Sequence, residues 1–371
     1  MQTFHGEFAD ESTRHPLLIM KIKKALDEYS RENYKEKIEK LEKIFESLNP
    51  VTQINFSNID IGSALFPCET VKRYPVPSRI TSISDIVNYF SKENIAIGAL
   101  DSSFYNAGPH IMVPLTVVSV GCWCYNYSSE VCKSIFIADA KVETYDQAKL
   151  QFYVKEIEMK AVRECLTKIL DGKHKFILFD ESFSLAYTLS WAKTIREEYA
   201  RKVKEIIDFC ISNDIIPVGL FYTRAMDIIR GIKLEAKEDS DIFPISDRRF
   251  MNYYLENAGD RSPTFIVYSK AIYDIGLHVR AFYLKLSENN VIRVEFPECY
   301  INKKDLIHLV VYGQAILGGG YPFALQRVHE IAALKKEDRK IIEDTIAEYL
   351  KKPNIEYILS RKVFSKRWPF A

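Results

Sequence analysis

From residue 17 to 48 apolar positions recur at helical spacing. In YKEKIEKLEKIFESLN, the residues Ile38, Leu41, Phe45 and Leu48 form one seam on a charged helix. Such a seam can pack on the body of the protein or on a second copy, and it is too short for a coiled coil. Residues 50–93 keep no single period, with RYPVPSRITS as a proline-marked connector. The pattern then turns to short apolar runs. NIAIGALDSSF is one such run, reaching Asp101, and HIMVPLTVVSVGCWCY reads as one or two β-branched strands. Residues 145–170 return to a helical period, with Val154, Ile157, Ala161, Cys165 and Ile169 on one face. KFILFD is a buried-strand run ending at Asp180. The helix AKTIREEYARKVKEIIDFCISN follows, and then the strand IIPVGLFY. Strand, helix, strand, helix, strand is the order of an α/β sheet. TFIVYS, HVRAFYLKL and NVIRVEFP continue as strands, and helices are expected near 303–316, 322–335 and 337–351.

Composition adds limits. The chain has 371 residues, 47% of them hydrophobic and 27% charged, so a large core and a soluble surface are both available. Lys plus Arg is 51 against 50 for Asp plus Glu, so any phosphate-binding surface must come from local segregation of charge. The 7 cysteines (Cys68, Cys122, Cys124, Cys132, Cys165, Cys210 and Cys299) form no Cys-x-x-Cys pair, and are read as reduced core residues. The start, MQTFHGEFADESTRHP, lacks an apolar signal region, and no apolar stretch approaches membrane-spanning length. A cytoplasmic protein is expected.

Asp101 and Asp180 follow apolar strand runs, the edge of an α/β sheet where sites usually lie. Each could equally cap a helix or turn. If their strands are neighbours the carboxylates converge, and a divalent metal is the usual reason to tolerate that. The helix between them offers Glu158, at the border of its buried face, or Glu156, beside Lys160 and Arg163. Either reads as well as a solvated surface residue. His329 borders the apolar face of PFALQRVHEIAALK, where a boundary histidine with no role is the commoner case. In GGGYPFALQRVHE the glycines permit a tight turn, Pro322 starts a helix, and Tyr321 stands at its mouth, where exposed N–H groups favour phosphate.

Five segments occur in one order: IGALDSSF, FILFDES, ISDRRFMNYYLENAGDRSPTFIVY, VIRVEFP and GGGYPFALQRVHE. Over residues 95–350 this chain resembles the NurA family, archaeal and bacterial nucleases that process DNA ends. The resemblance implies a ribonuclease H-like α/β fold: a mixed central sheet flanked by helices, over residues 94–351. Residues 1–93 would be an N-terminal helical extension and connector, and 352–371 a basic, aromatic tail. It implies metal-dependent DNA cleavage with two Mn2+ (or Mg2+) ions held by Asp101, Glu158, Asp180 and His329, and Tyr321 as a further catalytic residue. Tyr321, Arg293 or Arg224 would hold the phosphate. A two-metal hydrolysis of this kind activates a water with one ion and stabilises the leaving oxygen with the other. The family further suggests 5′-to-3′ exonuclease and single-strand endonuclease action in DNA end resection and repair, a homodimer, and a hexameric HerA-type translocase as partner. Two departures stand out. The chain reads Asp101-Ser102-Ser103 where the family commonly has Asp-Gly-Ser, and Thr223-Arg224 where it often has a lysine. The rival readings are a catalytically silent domain that binds DNA or a translocase, and an Argonaute-core-like nuclease acting on RNA or guided targets.

Overall fold

The computed structural model describes residues 14–31, 34–54, 61–77, 80, 82–107, 113–143, 146–236 and 245–350. The first half carries α1 (Arg14–Arg31), α2 (Tyr34–Glu46), β1 (Ser63–Pro67), α3 (Ile83–Lys92), β2 (Ile95–Asn106), β3 (Leu115–Asn126) and β4 (Val131–Val142). Next come α4 (Gln147–Ala161), α5 (Thr167–Ile169), β5 (His174–Phe179), α6 (Lys193–Ser212) and β6 (Ile215–Phe221). The rest is α7 (Asp227–Ala236), α8 (Asp247–Tyr254), β7 (Phe265–Ser269), α9 (Lys270–Tyr273), β8 (Val279–Ser287), β9 (Asn290–Pro297), α10 (Lys304–Leu317), α11 (Phe323–Ala332) and α12 (Lys336–Leu350).

The strands form one mixed sheet in the order β1-β7-β8-β9-β6-β5-β2-β3-β4. β2, β5 and β6 run parallel, and the other pairings are antiparallel. Parallel neighbours need crossovers, and α4 and α6 supply them. Strand alternation sorts the core into two layers. Ala96, Leu100, Ile177 and Phe179 pack with α2, α4, α6, α7 and α8 on one face. Ile95, Ile97, Ala99, Phe176 and Leu178 pack with α3, α10 and α11 on the other. The expected mixed sheet flanked by helices is the fold observed.

The part before residue 94 is built into this body. β1 pairs with β7 as the edge of the sheet. The seam of α2 turns inward: Ile38, Leu41 and Phe45 are buried, and Leu48 packs against the same core. Phe45 meets the rings of Phe250 and Tyr254 edge-on at 5.4 and 5.2 Å. Of the two partners open to the seam, the protein's own body takes it.

Two further differences have physical reasons. The helix read over 17–48 is two helices, α1 and α2. β4 is a strand the hydrophobic pattern does not announce, because as the outer strand beyond β3 it is mostly exposed and needs no alternation. Cys68, Cys122, Cys124, Cys132, Cys210 and Cys299 are free thiols. Among the described residues no helix is long and apolar enough to cross a membrane. The basic, aromatic tail at 352–371 lies outside the described residues.

Candidate active site

Asp101 and Asp180 meet because of register. β2 and β5 are parallel neighbours, with Leu100 beside Phe179 as the last paired rung. Asp101 and Asp180 each follow that rung directly. Alternation turns both toward the layer of α10 and α11. β2 does not end at Asp101. It runs on to Asn106 paired only with β3, where Asp101 lies opposite Gly121. The carboxylate therefore sits where the parallel partner stops and the sheet opens.

Gly121 also brings the histidine. A Cβ there would stand 2.8 Å from the Val328 carbonyl oxygen and 2.9 Å from the Ala332 nitrogen. Without it, α11 lies directly on the sheet, and Ser119 Oγ donates to the Ala332 carbonyl at 2.7 Å. His329 Nδ1 is then 2.8 Å from Asp101 Oδ2, with the histidine side chain 72% exposed and that of Asp101 18% exposed. Before α11, Gly319 and Gly320 hold φ of 65° and 111°, which favours glycine and makes the turn that presents Tyr321.

Tyr321 donates its hydroxyl to Asp180 and lies stacked on Tyr222 at 6.1 Å. Asp180 keeps an exposed surface, yet its carboxyl pKa is raised. Burial by its neighbours contributes most, and the Asp101 charge adds to it. The Tyr321 hydrogen bond and His329 pull the other way. Burial and the Asp180 charge push the Tyr321 hydroxyl up, so it stays a donor. The phosphate role expected of Tyr321 at the helix mouth is not what the structure displays. Its hydroxyl is engaged by Asp180, and the Ala324 N–H in the first turn of α11 donates to Gln314 Oε1 at 2.9 Å. Asp180 caps no α-helix, since the next one starts only at Lys193.

The other face of the sheet carries the remaining acids. Glu158 is buried on α4. Its Oε1 accepts from Ser102 Oγ at 2.8 Å, and its Oε2 lies 2.6 Å from Lys155 Nζ. Lys155 reaches Glu181 Oε2 at the same 2.6 Å. Burial raises the Glu181 pKa, although Lys155 opposes it. Glu156 is half exposed and pairs with Lys141 and Lys202, so it belongs to the solvated surface. Residue spacing does not reveal Glu181 and Lys155. The available signal is Glu181 directly after Asp180 and Lys155 one helical turn before Glu158.

Asp101, Glu158, Asp180 and Glu181 line one cavity of about 990 Å3, together with Arg224 and Tyr222. Arg224 is exposed, lines this cavity and makes no hydrogen bond or ion pair among the described residues. Arg293 corrects a sequence expectation. Its side chain is 1% exposed, with Nη1 2.8 Å from Asp227 Oδ2 and Nη2 2.6 Å from Glu295 Oε1. A guanidinium committed to two buried carboxylates is not a phosphate contact.

Donor chemistry decides whether a divalent ion suits these residues. Asp101 and Asp180 offer hard oxygens and His329 an imidazole, a set that fits magnesium or manganese. Glu158 and Glu181 are matched to Lys155 instead. Among the described residues no group of three or more His, Cys, Asp or Glu side chains is arranged to hold a metal as it stands.

Comparison with known proteins fits this picture. Residues 220–334 match the NurA domain family. That stretch carries Arg224, Tyr321 and His329, but not Asp101, Glu158 or Asp180. The crystal structure of the NurA nuclease from Sulfolobus solfataricus superposes with a TM-score of 0.52 at 18% identity, over 74% of this chain and 95% of its own. That likeness shows a shared fold. A structure of NurA with manganese superposes with a TM-score of 0.40 at 12% identity, over 73% of this chain and 94% of its own. The catalytic domain of human endonuclease V gives 0.38 at 12%, over 73% and 92%. These two looser likenesses add no weight. No curated protein matches the chain.

Proposed function

We propose that this chain, a NurA family protein by its domain match and its fold, is a metal-dependent nuclease that hydrolyses DNA phosphodiester bonds. One observation carries the reading. Asp101 and Asp180 each follow the last paired rung of neighbouring parallel strands, close enough for each charge to act on the other, with His329 2.8 Å from Asp101.

Asp101, Asp180 and His329 would hold a divalent ion, which when bound polarises the phosphate and acidifies a water. The chain's own residues prepare the rest. Asp101 fixes the His329 ring through Nδ1, leaving Nε2 outward. Tyr321 orients the Asp180 carboxyl, and its hydrogen bond favours the ionised form against the burial that raises the pKa. Arg224, unpaired among the described residues, offers the cavity a cation for a phosphate. Ser102 ties Glu158 on α4 to the strand that carries Asp101.

The finer features rest on family resemblance: 5′-to-3′ exonuclease and single-strand endonuclease action in end resection, a homodimer, a HerA-type hexameric translocase as partner, and a cytoplasmic location. The resemblance also implies two ions, and the pairing of Glu158 bears on that number.

The test is cleavage of matched single-stranded DNA, linear duplex DNA and RNA with Mn2+ or with excess chelator. Degradation of DNA that stops on chelation is expected. Binding of DNA without cleavage would favour the silent domain, and cleavage confined to RNA or to guided targets would favour the Argonaute-like reading.

A further inference from the structure

We infer that this site takes one divalent ion per chain, with the ammonium of Lys155 built in where a second ion would otherwise stand. The inference rests on the metal-dependent reading above and concerns only the number of ions.

The carboxylates of the cavity fall into two compartments set by strand alternation. Asp101 and Asp180 turn to the α11 side, where Asp101 accepts from the Ser102 N–H at 2.7 Å and meets the exposed His329 imidazole, and among the described residues no lysine or arginine pairs with either aspartate. Ser102 and Glu181, each one residue further along, turn to the α4 side with Glu158. In that second compartment a cation is already present. Lys155 Nζ is 2.6 Å from both Glu158 Oε2 and Glu181 Oε2. The Lys155, Glu158 and Glu181 side chains are 5%, 6% and 19% exposed. The other Glu158 oxygen accepts from Ser102. Both oxygens of the proposed third metal carboxylate therefore have partners.

The geometry is a property of the chain. Lys155 and Glu158 stand three residues apart on α4, so the helix holds them on one face. Glu181 comes from the turn after β5, so the ammonium bridges α4 to the segment that carries Asp180. A buried ammonium in contact with Glu158 repels a second cation brought to the same oxygen. On the α11 side Asp101 and Asp180 crowd negative charge with no such ammonium, and that is where an ion lowers the free energy.

The test counts Mn2+ bound to the full-length protein without DNA, from the free-ion electron paramagnetic resonance signal. Wild type should bind about one ion per chain. Lys155→Met keeps the length and removes the charge, and should bind about two. Glu158→Gln in an otherwise unchanged chain guards against a Lys155→Met protein that does not fold. It should leave Mn2+ affinity within about threefold, whereas loss even of an outer partner of a true ligand costs about 10–100-fold. Two ions in wild type, one ion in folded Lys155→Met, or a tenfold loss in Glu158→Gln would each overturn the inference. No ion at all in wild type overturns it together with the metal-dependent reading. One ion without DNA cleavage upholds it and removes the nuclease reading alone.

Discussion

Two clusters of carboxylates line or adjoin the same cavity, and the fold treats them in opposite ways. Around Arg293, nearly every acid oxygen is used. Asp227 accepts from Ser63, Arg230 and Arg293. Asp247 accepts from the Asp227 and Ile228 N–H groups and from Tyr283. Glu295 takes Ser182 and the Ser184 N–H, with Arg293 at 2.6 Å. Burial and the Asp227 charge still push Asp247 up to about 7, against the pull of Arg293. At Asp101 and Asp180 the partners are few, and one of them is an exposed histidine. Dense pairing marks scaffolding. Charge left in reach of solvent marks a site that awaits a ligand.

Breaking the scaffold should have the largest effect. Arg293→Met leaves buried Glu295 without its cation and Asp227 with Arg230 alone, and should cost about 3–5 kcal/mol of stability. The denaturant midpoint measures it. Unchanged stability with weakened DNA binding would restore Arg293 to a phosphate role.

Relieving the charged cluster should act in the opposite sense. Metal-free Asp180→Asn should melt at the same temperature as wild type or higher. Mn2+ at a hundred times Kd stabilises a protein that binds it only when folded by about 2.7 kcal/mol, and the variant should lose most of that gain. The pH dependence follows from the raised Asp180 pKa. Its stabilising contribution is fully present below the unfolded value and is lost as pH rises through the higher folded value. In chelator, wild type should therefore lose stability relative to Asp180→Asn as pH climbs from the unfolded carboxylate range. Melting curves at several pH values read this directly, and parallel curves would contradict it.

Gly121→Ala separates packing from chemistry. The new methyl group would stand 2.8 Å from the Val328 carbonyl, so α11 must shift. Overpacking of this kind costs about 1–3 kcal/mol. Cleavage measured well below the melting temperature should fall as well, because His329 moves with the helix. Full activity in a destabilised variant would mean that His329 needs no fixed seat.

Tyr321→Phe should have the smallest effect on stability, about 1 kcal/mol for one lost hydrogen bond. It should move the acid limb of the pH–rate profile upward, since the lost bond lowers the Asp180 pKa. A reduced rate with an unmoved limb would assign the hydroxyl to substrate instead.

Much of this contrast is legible in the residues. Apolar runs reaching Asp101 and Asp180, with a helix between, are legible as strands of an α/β sheet, while their being parallel neighbours is not. The Gly318–Gly320 run before Tyr321 foretells the turn. What stays hidden depends on tertiary register. The resemblance offers Arg293 as a phosphate contact, and only its burial between Asp227 and Glu295 reveals its pairing. Glu181 sits beside an obvious candidate, yet its face is set beyond the last paired rung, and Lys155 reaches it only because α4 packs against that part of the sheet. Tyr321 aims at Asp180 only because β5 and α11 meet from distant parts of the chain.

The most direct test of the central claim is the rate of Mn2+-dependent cleavage of end-labelled DNA by wild type and by Asp101→Asn, each shown to be folded by circular dichroism. The account predicts cleavage by wild type that stops with chelator, and a variant slower by about 100-fold or more. A variant as fast as wild type, or cleavage that persists in chelator, would contradict it.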